Sequence, residues 1–161
     1  GRLFAEHDKG NLAYEPLTEE MVSAVTRPGH PLMGVSNLGL RDVHGAGWIV
    51  PPAGSVLRHR FDLMFQQEGL SPPINTVETA ALLFMTRMLQ QSDMVGVLAT
   101  EVANYYASHG LLSILPMDMP CHMDAFGLIT RTDRLLSPGA KVLMKALKQT
   151  CLTQYGVRLA P

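Results

Sequence analysis

Two hydrophobic periods alternate along this chain, and that alternation most constrains its fold. Short apolar runs stopped by Gly or Pro are each followed by a longer segment patterned for one helical face. Trp48-Ile-Val50 is stopped by Pro51-Pro52; beyond the small-residue turn Ala53-Gly54-Ser55, Leu57, Phe61, Met64 and Phe65 recur at helical spacing, and Gly69 ends the pattern. A short strand expected over 74–77 leads to a helix expected over 78–91, with Ala81, Leu82, Met85, Met88 and Leu89 inward. Met94-Val-Gly-Val-Leu98 is a continuous apolar run suited to a central parallel strand. Thr100 then caps a third helix ending at Gly110, and 111–115 reads as the next strand. Strands alternating with helices in this way predict an α/β fold with a parallel-rich sheet and helices on both faces.

The ends of the chain read differently. Residues 7–11 are polar and read as a loop. A short strand is expected over 12–17 and a second over 20–26, broken by Arg27-Pro-Gly-His-Pro-Leu. Residues 37–43 suit a short helix or turn, and 125–131 a return strand. Ser137 as N-cap and Pro138 at the first helical position open a closing helix over 138–154. Its apolar face comprises Ala140, Leu143, Met144, Leu147 and Cys151. Segments 21–27 and 126–131 are expected to act as hinges around a compact subdomain.

Composition narrows the function classes. Over 161 residues, 47% are hydrophobic and 17% charged, which is globular rather than disordered. A net charge of −1 leaves no basic stripe for a run of phosphates, so direct nucleic-acid binding by these residues is not expected. No apolar run approaches the length of a membrane-spanning helix, and no signal peptide opens the sequence. Cys121 and Cys151 read as reduced buried thiols, consistent with a cytoplasmic protein. The ten methionines read mainly as core filling.

In an open α/β sheet, ligands sit beyond the carboxyl ends of strands, at helix N-termini. Gly54, Ser55 and Arg58 follow the 48–50 strand. There Gly54 permits close approach, Ser55 offers a hydroxyl beside free N–H groups that favour an anion, and Arg58 adds a bidentate partner. An ordinary strand-to-helix turn with a satisfied cap fits the same residues. Thr76, Glu78 and Thr79 stand at the next strand-to-helix junction, where Glu78 also suits plain helix-dipole compensation. No enzyme or metal motif competes: His7 with Asp8, Asp42 with His44, and His59 with Asp62 lack metal-ligand spacing. Neither a nucleophile elbow nor a phosphate-binding loop is present, and adjacency in sequence does not orient Cys121 and His122 as a catalytic pair. No cofactor is expected.

Arg27-Pro-Gly-His-Pro-Leu-Met33 and, a long stretch later, Asp133-Arg-Leu-Leu-Ser-Pro-Gly139 together resemble the effector-sensing domain of LysR-type transcriptional regulators. The order of elements follows that family over nearly the whole chain. One departure is Ser92-Asp-Met-Val-Gly-Val-Leu-Ala99, where many members carry a Gly-x-Gly-Ile turn and a strand ending in Pro. That variant is similar to a subgroup including regulators named for a galactose-binding protein.

The resemblance implies a fold like the type II periplasmic solute-binding proteins. Residues 1–26 would be a remnant of a first lobe with one hinge strand, 27–122 the second lobe, and 123–161 the second hinge strand and a helix returning to the first lobe. It implies a small-molecule effector, a sugar or an organic acid, in an interlobe cleft, with Thr26, Arg27 and residues near Gly127 added to the lining. It implies no enzymatic activity, no membrane, a homodimer or tetramer, and DNA contact only through a winged helix-turn-helix preceding this sequence. The first third of the sensing domain would also precede Gly1, leaving the 140–151 face to be covered by dimerisation or strand exchange. A periplasmic solute-binding protein of the same fold is the alternative, distinguished by a signal peptide upstream in place of a helix-turn-helix.

Overall fold

The computed structural model describes residues 1–2 and 10–155; His7, Asp8 and most of the expected 7–11 loop lie outside them. In chain order the elements are β1 (Leu12–Thr26), α1 (Leu40–Val43), β2 (Trp48–Val50), α2 (Val56–Gln67), β3 (Thr76–Glu78) and α3 (Leu82–Gln90). They continue with β4 (Val95–Ala99), α4 (Thr100–Ser108), β5 (Ser113–Ile114), β6 (His122–Arg131) and α5 (Pro138–Tyr155). The chain divides into two compact units, one of residues 1–20 with 124–161 and one of residues 21–123. Only β1 and β6 run from one unit into the other.

In the 21–123 unit, strand order is β3-β2-β4-β1-β5. β2 lies parallel to β3 and to β4, while β1 is antiparallel to β4 and β5, so the sheet is mixed around a parallel core. Alternation along the strands divides two apolar layers. Trp48, Val50, Val95 and Val97 face one layer with Phe61, Met64 and Phe65 of α2; Ile49 and Val25 face the other with Met85 and Leu89 of α3 and Ala103 of α4. Trp48 meets Phe61 and Phe65 edge to face at centroid distances of 5.0 and 5.8 Å, contacts worth about 0.5–1.5 kcal/mol each beyond burial. Its indole N–H donates to the Val43 carbonyl at 3.0 Å, which satisfies its one buried donor.

Several sequence expectations change. The strands expected over 12–17 and 20–26 are one strand of 15 residues. Thr18 and Glu19, left between those two expected strands, are part of it; β1 passes between units just after Glu20, whose carboxylate is taken by Arg2. α3 begins at Leu82 rather than 78, because the Thr79 N–H donates to the Val50 carbonyl (3.0 Å) and its hydroxyl accepts from the Ala81 N–H (3.0 Å), holding the chain extended. Glu78 therefore closes a strand instead of opening a helix. Ile74 lies outside β3 and is almost fully exposed. Thr100 does not cap α4; Ala99 occupies that position without a side-chain bond.

His30, in the His-Pro-Leu signature, is buried and fully used: Nδ1 accepts from the Leu32 N–H and Nε2 lies 3.1 Å from the Asp93 carbonyl. Burial pushes the Cys121 thiol up to about 11, so it is no nucleophile near neutral pH.

In the other unit, Gly1 and Gly127 exchange backbone hydrogen bonds at 2.8 Å, and Arg2 donates to the Asp124 carbonyl at 2.8 Å. Lys148 of α5 reaches Glu15 at 2.6 Å, and Tyr155 packs edge to face on Phe126. Ser137 caps α5 through the Ala140 N–H at 3.2 Å. No residue of α5 is buried; Leu143 and Leu147 of its apolar face are 60% and 44% exposed.

Gly127 is set by packing against β1. A Cβ there would overlap the Glu15 carbonyl and lie 2.7 Å from the Tyr14 ring. Because the obstacle is backbone, Gly127→Ala is expected to lower stability by about 1–3 kcal/mol, read as a shifted urea midpoint at unchanged slope. An unchanged midpoint would contradict this packing.

Candidate functional site

Parallel pairing of β2 with β3 sets Val50 beside Glu78 and Trp48 beside Thr76, so the carboxyl ends of these strands come out together. The loop after β2 meets the end of β3 there. Gly54 adopts φ +83 with open space where a side chain would project. The Ser55 hydroxyl accepts the Arg58 N–H at 3.2 Å, the N-cap bond its sequence position suggested.

Arg58 is the centre of an ion triad. Its Nε donates to both Asp62 oxygens at 3.0 and 3.1 Å, and its Nη1 donates to Glu78 Oε1 at 2.6 Å. The Ala53 N–H reaches Glu78 Oε2 at 3.3 Å. Partial burial works against the Arg58 charge, but the hydrogen bonds of Glu78 and Asp62 outweigh it and raise the pKa above the usual guanidinium value. Those same contacts, the Arg58 bond first and the Ala53 N–H second, hold Glu78 below the ordinary carboxylate range.

Next in the sheet, Val22 pairs with Ala99 at the end of β4. The Ser23 hydroxyl meets the Thr100 hydroxyl at 2.8 Å. The structure thus gathers Gly54, Ser55, Arg58, Glu78 and Thr79 at one end of the sheet, and adds Ser23, Thr100 and Asp62. Thr76 and Thr26 lie at the opposite, amino end of the parallel strands: Thr26 pairs with Ser113, beyond the Val25–Gly96 pair. Thr26 is wholly buried, and its hydroxyl donates to the Arg27 carbonyl. Gly127 belongs to the other unit. Arg27 donates to Asp93 at 2.9 and 2.7 Å, beside an open depression of about 430 Å³ lined by Arg27 and Gln90–Asp93.

Two additions carried a sequence signal. Arg58 and Asp62 stand four apart, a helical ion-pair spacing. Thr100 directly follows an apolar strand. Ser23 carried none, because only the antiparallel register of β1 brings it to that edge. Among the described residues, no group of three or more His, Cys, Asp or Glu could hold a metal ion.

Since the folded-state pKa of Glu78 is depressed, its contribution to stability is present above the unfolded carboxylate value and is lost as pH falls through the folded one. Wild type is expected to exceed Glu78→Gln in stability at neutral pH, with the difference closing below about pH 4. Chemical denaturation across pH checks this; a pH-independent difference would contradict the ion-pair account.

The comparisons with known proteins agree on a family. The model of the LysR substrate binding domain matches residues 3–152. The HTH-type transcriptional regulator GbpR of Azospirillum brasilense is 33% identical over 149 residues, covering 92% of this chain and 44% of that protein. The regulator GalR of Pseudomonas putida is 36% identical, covering 92% and 37%. This chain therefore spans less than half the length of those relatives. Among solved structures, the CcmR regulatory domain of Synechocystis PCC6803 in complex with 2-PG superposes with TM-score 0.76 at 17% identity, over 94% of this chain and 73% of that one. The effector binding domain of QuiR in complex with shikimate gives 0.71 at 18%, over 94% and 70%. These likenesses fix an α/β fold of the type II periplasmic-binding-protein kind. With the family model matching nearly its whole length, this chain belongs to the LysR substrate-binding domains.

Proposed function

We propose that this chain is the effector-sensing part of a LysR-type DNA-binding transcriptional regulator acting in the cytoplasm. The family match over residues 3–152 carries the reading, and relatives named as HTH-type regulators favour it over a periplasmic solute-binding role. In the 21–123 unit, the effector is received where β2, β3 and β4 end, by Gly54, Ser55, Thr79, Ser23 and Thr100, with Glu78 beside them. Gly54, Ser55, Glu78, Thr79 and Thr100 lie at strand ends or helix starts, and Ser23, beside Leu98 in the β1–β4 pairing, brings its hydroxyl to Thr100; backbone dipoles and hydroxyls there orient a small guest. Arg58 acts by holding Glu78 and Asp62 in place.

No covalent step is needed, and the regulator is not an enzyme. Binding biases the arrangement of protomers in a homodimer or tetramer, and a winged helix-turn-helix outside this sequence contacts DNA. The effector moves that equilibrium only by the difference between its affinities for the two arrangements.

A thermal-shift screen of the full-length regulator against neutral monosaccharides, aromatic acids and amino acids tests this, because a ligand of the folded state raises stability by mass action. At least one compound is expected to raise Tm and also alter operator binding in a gel-shift assay. Catalytic turnover of that compound, or a Tm shift with no effect on DNA binding, would overturn the reading.

A further inference from the structure

We draw no further inference here: the strongest candidate, the apolar face of α5 on which Leu143 and Leu147 stand exposed, carries nothing because nothing in the structure shows what covers it.

Discussion

Trp48, Ile49 and Val50 are wholly buried, and a three-residue strand with no exposed side chain must be covered on both faces and paired at both edges. α2 supplies one cover and α3 with α4 the other; β3 and β4 supply the edges, both parallel to it. Parallel neighbours need crossover helices, and crossover helices start where the strands end. Burial of these three residues thus brings Gly54, Glu78 and Thr79 to one end of the sheet. The β1–β4 antiparallel register brings Ser23 to Thr100 at that same end.

The parts of this arrangement that rest on side-chain periodicity were legible in the sequence. The 48–50 strand, the α2 face, Ser55 as N-cap and Ser137 opening α5 appear in the structure as read. The family was legible too, from His-Pro-Leu and Leu-Ser-Pro in order. What escaped depends on backbone bonding between distant segments. The continuity of β1 through Thr18 and Glu19 is not marked by any local pattern, and the late start of α3 comes from the Thr79 bond to Val50, which no local pattern reports either.

The partners of the candidate site residues depend on the same long-range pairing. Arg58 suggested a guanidinium open to a ligand, and its helical spacing to Asp62 hinted otherwise; Glu78, twenty positions away, completes the answer only once β3 pairs with β2. Thr76 and Glu78 are two residues apart, yet the first aligns with the start of β2 and the second with its end. A strand-to-helix junction identified from sequence needs its parallel neighbour before its residues can be sorted into those that face a guest and those that do not.

An effector read at the carboxyl ends of β2, β3 and β4 should leave its mark on those backbone segments. The direct measurement is hydrogen exchange of the intact regulator with and without a compound that stabilises it. Slowed exchange concentrated at residues 52–58, 78–80 and 99–101 is the predicted result. Protection confined to α5 or to the amino ends of the strands, with those three segments unchanged, would contradict the account.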